Sequence, residues 1–174
     1  MVVAKNNIVH NNLAVQIQNR TLQRQYNALI WGAIKPFNGV IKANIARSSK
    51  DRTRMAVVYR GGKVAITHYN TLEIFEKYNM SLVECKLATG RTHQIRVHLS
   101  NAGHSIVGDQ VYGHNVRKAN NLTDDNLKKL LCNFQRQALH SYYISFLHPK
   151  TEKIMSFTSD IPQDLMEVIE FLRQ

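Results

Sequence analysis

Apolar residues recur along this chain in two rhythms. Val40 to Ala46, Val64 to Tyr69 and Leu82 to Leu87 alternate with period two. So does Ala138 to Leu147, which turns at His148-Pro149-Lys150-Thr151 and returns through Ile154 to Thr158. Period two sends successive side chains to opposite faces, so these stretches predict strands, the last two joined as a hairpin. Arg24 to Trp31 is rich in strand-favouring residues and stops at Gly32. Met1 to Ala4, with its β-branched pair, reads as one more strand.

The second rhythm is helical. Val9, Leu13 and Ile17 form one stripe, with Asn7 as the expected cap and an end near Thr21. Ile95, Leu99 and Ala102 form another between Gly90 and Gly103, with Thr92 as the expected cap and Gly103 as the stop. A short peripheral helix opens at Thr123-Asp124-Asp125 and carries Leu127, Leu130 and Leu131. Leu165, Val168, Ile169 and Leu172 mark a terminal helix. Together these elements predict an α+β fold: a mixed, largely antiparallel β-sheet with flanking helices, in a single domain over residues 1–174.

Composition narrows the class of partner. Hydrophobic residues make up 44% of 174 positions, enough for a packed core, and the formal charge is +11. Neutralising phosphates supplies most non-specific nucleic-acid affinity, so a structured RNA fits this charge better than a small acidic metabolite. Residues 41–63 concentrate it: Lys42, Arg47, Lys50, Arg52, Arg54, Arg60 and Lys63 face only Asp51, a local charge of +6. Arg47, Lys50, Arg52 and Arg54 are therefore candidate RNA contacts, against the plainer reading of a solvated hairpin. No run approaches a membrane span or a signal-peptide core. Cys85 and Cys132 lie far apart without a Cys-x-x-Cys pair, which predicts a reducing compartment, the cytoplasm, and no disulfide.

Eight histidines invite a metal site, but His93, His98 and His104 are five and six positions apart and share no helical face, and no His-Glu-x-x-His occurs. No metal is expected. Nucleophile elbows, Walker loops and dinucleotide glycine motifs are missing as well. The richest chemistry is the run Gly90-Arg91-Thr92-His93-Gln94-Ile95-Arg96-Val97-His98-Leu99, followed by Gly103-His104 and Ile106-Val107-Gly108-Asp109. Two arginines and several histidines near a helix start suit an anion.

That run resembles the third motif region of the RluA/RluD-type RNA pseudouridine synthases. Arg24-Gln25-Tyr26-Asn27-Ala28-Leu29 with Gly32, Gly62-Lys63-Val64-Ala65-Ile66-Thr67, Arg136-Gln137-Ala138-Leu139-His140 and His148-Pro149 resemble further family segments in the expected order. The resemblance implies a cofactor-free isomerisation of uridine in RNA, with large-subunit ribosomal RNA as the expected substrate. The glycosidic bond breaks, the base rotates and C5 rejoins the sugar, after the base has left its stack. It also implies an essential Asp in a His-Arg-Leu-Asp-type loop, a tyrosine stacked on the flipped base and a basic residue paired with that Asp. Tyr26 matches the tyrosine and Arg96 the basic residue, while Arg91 is the second candidate for that role and is expected on phosphate.

No Asp or Glu precedes Asp51, so the family's Asp-bearing loop has no counterpart within this sequence. Asp51 falls in the basic stretch and Asp109 in a Gly-Asp turn where the family has a structural residue. The expectation is a partial pseudouridine synthase catalytic domain, truncated and inactive alone, with a separate N-terminal fragment as a potential partner. A non-catalytic RNA-binding module and an unstable gene remnant are the alternatives.

Overall fold

The computed structural model describes residues 2–113 and 115–174. Its strands are β1 (Gln23–Trp31), β2 (Asn38–Arg47), β3 (Met55–Val58), β4 (Lys63–Phe75), β5 (Met80–Leu87), β6 (Leu139–Leu147) and β7 (Ile154–Thr158). They form one sheet in the order β3-β2-β4-β5-β1-β6-β7. Each of these neighbouring pairs is antiparallel, as the alternating stretches required. The flanking helices are α1 (Asn7–Gln18), α2 (Gln94–Asn101), α3 (Asn115–Asn120), α4 (Asp125–Asn133) and α5 (Gln163–Leu172).

Alternation decides which face is covered. Along β4, Ala65, Thr67 and Tyr69 are buried while Val64, His68 and Asn70 are exposed. The main core joins Leu29, Ile30, Met80 and Val83 of the sheet to Ile95 and Leu99 of α2. The α5 stripe, Leu165, Val168, Ile169 and Leu172, closes the same core. Each such buried side chain contributes about 1.5–3 kcal/mol, so α2 is held in place by packing despite its eight residues.

Several local expectations are corrected. Val2–Ala4 is irregular chain rather than strand, and Met1 lies outside the described residues. Val2 and Ala4 pack on a small cluster of Leu13, Leu22 and Phe146 instead of pairing with a neighbouring strand. The cap of α1 is Asn6, not Asn7: its side-chain oxygen accepts from Val9 N at 2.9 Å. The helix stops at Gln18 because Arg20 turns left-handed at φ 62°, and Thr21 N then donates to Gln16 O at 3.0 Å. This is a Schellman closure with arginine in the usual glycine place. Ile17 is 48% exposed, and Gln16 takes the buried position. The Gln16 amide bonds both backbone groups of Leu147 in β6, at 2.7 and 2.8 Å. The α4 cap is Asp124, which accepts from Asn126 N and Leu127 N. Strand β3 lies in the basic 41–63 segment, between the alternating stretches Val40 to Ala46 and Val64 to Tyr69, where the sequence predicts no separate strand.

Candidate active site

A cavity of about 480 Å³ opens beside the N-terminus of α2. β1 contributes Arg24 and Tyr26, which lie two apart and so face the same way; β5 contributes Leu87, and the Gly90–Arg96 segment forms the opposite wall. Tyr26 is half-buried, its ring partly packed on the core. Gly90 gives the Arg24 guanidinium room to lie against the backbone: a Cβ there would sit 2.6 Å from Arg24 Nη2 and push that side chain aside. Arg24 was legible only as part of the strand motif, yet its guanidinium passes directly against the Gly90 backbone. The signal that finds it is its spacing of two from Tyr26.

Arg96 lies in this wall with its side chain 13% exposed, and it is already paired within the chain. Its Nε donates to Asp109 Oδ2 at 2.7 Å and its Nη2 to Asp109 Oδ1 at 2.8 Å. Asp109 is fully buried, and Oδ1 also accepts from Val111 N and Tyr112 N, each at 2.9 Å. Burial works to raise its carboxyl, but the Arg96 hydrogen bonds and the two backbone donors outweigh that and hold it below the usual range. Gly108, at φ 75°, brings the preceding backbone so close to Arg136 O that a Cβ would sit 2.0 Å away. Asp109 is thereby set beneath Arg96 as a structural anchor. A second carboxylate approaching Arg96 would meet the remaining Nη1.

The start of α2 corrects the expected cap. His93, not Thr92, holds the cap position, at φ 55° and with no side-chain cap bond. Gln94 organises this turn instead. It is 3% exposed; its carbonyl accepts from Thr89 Oγ1 at 2.7 Å and Arg91 N at 3.0 Å. Its amide donates to Ile66 O and Thr67 Oγ1, both at 3.0 Å. His98, fully buried on the next turn, contacts Thr67 Oγ1 through Nδ1 at 2.9 Å, and burial pushes its pKa down to about 4. His98 is thus a neutral core residue.

Tyr112, to which the sequence pattern gives no role, joins this wall to β3. Its hydroxyl accepts from Met55 N at 2.8 Å and lies 2.9 Å from His93 Nδ1, while the Arg96 guanidinium stacks 4.8 Å from its ring centre. Burial, and then the Arg96 charge, lower the pKa of His93 against the opposing pull of Asp109.

The basic segment lies at the β2–β3 connection. Arg47 Nη1 donates to Arg52 O at 3.0 Å, and Arg54 is committed twice, to Asp51 at 2.9 Å and to Val111 O at 2.9 Å. Lys50 and Arg52 are exposed and, among the described residues, form no ion pair. Arg91 donates from Nε to Val64 O at 3.1 Å and lines the cavity. Tyr26, Arg91 and Arg96 are therefore brought together, while Lys50, Arg52 and Arg54 lie outside the cavity lining.

Among the described residues, no carboxylate lines the cavity. What the arrangement offers is one aromatic face, three guanidinium groups and a partly apolar wall, equipment for a planar base attached to phosphate. Among the described residues no group of His, Cys, Asp or Glu is placed to hold a metal ion. Cys85, buried, and Cys132, exposed, are both free, and burial pushes the Cys85 thiol up to about 12.

Residues 1–101 match the family model described as RNA pseudouridylate synthase. The chain belongs to that family. It is 43% identical over 173 residues to ribosomal large subunit pseudouridine synthase D of Neisseria meningitidis, covering 99% of this chain and 45% of that protein. It is 41% identical to the uncharacterized RNA pseudouridine synthase YlyB of Bacillus subtilis, covering 100% of this chain and 52% of that one. The chain thus spans about half the length of these curated relatives. Among solved structures, the human RNA pseudouridylate synthase domain containing 4 has the same fold, with a TM-score of 0.76 at 24% identity over 99% of this chain and 70% of that one. The α+β architecture is the one this family shares. No helix among the described residues is long and apolar enough to cross a membrane.

Proposed function

We propose that residues 1–174 form part of one pseudouridine synthase catalytic domain that isomerises uridine in cytoplasmic large-subunit ribosomal RNA, and that they supply the base-holding and cationic side of its active site. The observation that carries this reading is the single cavity in which Tyr26 meets Arg24, Arg91 and Arg96 without any lining carboxylate. In this reading the Tyr26 ring stacks on the flipped uracil, Arg91 meets phosphate, and Arg96 holds a catalytic aspartate ionised through its Nη1. In this reading that aspartate comes from outside these 174 residues, because no described carboxylate lines the cavity, Asp109 is buried under Arg96 and Asp51 is bonded to Thr53 and Arg54. Arg47, Lys50, Arg52 and Arg54 extend the contact along the RNA backbone.

The test is tritium release from 5-tritiated uridine in large-subunit ribosomal RNA, followed by pseudouridine mapping. The purified chain alone is expected to bind this RNA in a salt-dependent way and to release no tritium. Adding a polypeptide that carries the His-Arg-Leu-Asp loop of a relative is expected to restore release, and Tyr26→Ala or Arg96→Ala to abolish the restored activity. Turnover by the chain alone overturns the need for an external carboxylate. RNA binding that never leads to turnover, even with the added loop, favours a non-catalytic RNA-binding module, a reading that the exposed Lys50 and Arg52 support.

A further inference from the structure

The Gly90-Arg91-Thr92 segment has a cavity on each side. The first is the one that holds Tyr26 and Arg96. The second, of about 420 Å³, lies between this segment and the β2–β3 strands and is lined by Ile45, Ala46, Arg47, Met55, Gly62 and Lys63 together with the same three residues. Only one strand of backbone separates the two spaces, since the same three residues line both.

The second cavity has an apolar floor and a cationic rim. Ile45 is 2% exposed and packs with Ala65 and Val97, and Met55 adds a polarisable thioether to the same cluster. Arg47, Lys63 and Arg91 stand around it, and no described carboxylate forms an ion pair with any of them. The Nε of Arg91 is spent on Val64 O, which fixes its stem at the divide and leaves the two Nη groups for a ligand. The wall on the Lys63 side is rigid: Gly62, at φ 73°, presses the turn onto β2 so closely that a Cβ would lie 3.0 Å from Ile45 O and 2.8 Å from Val58 Cγ2. On the other side, Tyr112 hydrogen-bonds Met55 N and so ties the floor of this cavity to the wall of the first.

We propose that this second cavity is a subsite for the nucleotide adjacent to the target uridine on the same RNA strand. Its base lies against Met55, which overlies the buried Ile45, and the phosphate that links it to the target lies over Arg91, where the strand crosses the divide. Lys63 and Arg47 meet the phosphate on the far side. An apolar floor suits the face of any base, so the subsite is tolerant of sequence and rewards strand continuity. The proposal rests on the reading of the first cavity as the uridine site.

The test is an amide NMR titration of the 174-residue chain with a uridine pentanucleotide, with UMP, and with inorganic phosphate. Shifts at Tyr26 and Arg96 report the first cavity, and shifts at Ala46, Gly62 and Lys63 the second. The pentanucleotide is expected to move both sets with one dissociation constant, UMP to move mainly the first set, and phosphate to move the second set far less than the pentanucleotide does. Lys63→Glu, at the exposed first position of β4, is expected to weaken the pentanucleotide about fivefold and to leave UMP unchanged. If the pentanucleotide moves the first set alone, the subsite is wrong and the uridine site stands. If neither set moves, the uridine reading fails and the subsite fails with it. If phosphate moves the second set as strongly as the pentanucleotide does, the cavity is an anion site and the nucleotide proposal is overturned.

Discussion

Arg96 and Arg52 carry the same charge into opposite surroundings. Arg96 is 13% exposed, bidentate to a fully buried carboxylate, and set in a wall whose neighbours Gln94, Thr89, Thr67 and His98 are all buried and bonded. Arg52 is exposed on the β2–β3 connection, where its backbone carbonyl accepts from Arg47 and its guanidinium forms no ion pair among the described residues. The difference teaches that the two cation-rich stretches are cationic for different reasons. Around α2, charge is bound into the architecture that shapes the cavity. In the 47–54 segment, charge is left on the surface, where its effect is on an approaching polyanion.

This contrast can be broken most directly at Asp109. Asp109→Ala leaves the Arg96 guanidinium part-buried without its carboxylate and Val111 N and Tyr112 N without their acceptor, and is expected to cost about 3–5 kcal/mol. Urea unfolding measures it, and a loss below 1 kcal/mol would falsify the anchoring role of this pair.

The next largest effect concerns His98. Its folded pKa, about 4, lies below the ordinary histidine value of 6.5, so the unfolded chain takes up the proton first. Stability is therefore full above pH 6.5 and declines as pH falls toward 4, by roughly 3 kcal/mol over that window. His93, shifted in the same direction, adds to the slope. Asp109, held low, gives up its stabilisation only at more acid pH, below the carboxylate's own unfolded value. Unfolding midpoints at pH 7.5, 6 and 5 check the slope, and His98→Leu should flatten most of it; an unchanged slope in that variant contradicts the assignment.

Gln94→Leu removes four hydrogen bonds at nearly constant volume, and about 2 kcal/mol of destabilisation is expected. Because Gln94 bonds Arg91 N, faster amide exchange at Arg91 and Thr92 should accompany it. Exchange that stays as slow as in the parent means that the backbone beside the cavity is held by something else. At the small end, Lys50→Ala with Arg52→Ala is expected to change stability by less than about 0.5 kcal/mol. The same pair should lower the slope of log affinity against log salt for RNA by about 1.4. A loss of stability with no change in slope would reverse the roles assigned to the two regions.

Element type was legible wherever burial followed a simple period. The alternation of Val64 to Tyr69 became β4, and the Leu165, Val168, Ile169, Leu172 stripe became the buried face of α5. The reading slipped where a polar residue does a core residue's work. Gln16 displaced Ile17 from the buried face of α1 because it can satisfy both backbone groups of Leu147, 131 positions away. Gln94 is buried on α2 for the same reason, His98 is buried with a single bond to the Thr67 side chain, and Tyr112 gained its place through partners from 19 and 57 positions away. No local pattern encodes such contacts.

Read alone, the residues of this chain determined the strand and helix rhythm, the basic character of 41–63, and the motif from Gly90 to Asp109 that resembles one enzyme family. Those properties depend on side-chain type and near-neighbour spacing, which a sequence states directly. Only the tertiary structure decided that Tyr26, Arg24 and Arg96 share one cavity and that Arg96 is held by Asp109. Tertiary structure also put a second, cation-rimmed cavity behind the Gly90–Thr92 wall. These are juxtapositions made by strand pairing and by the packing of α2 across the sheet, so they exist only once distant segments have been brought together.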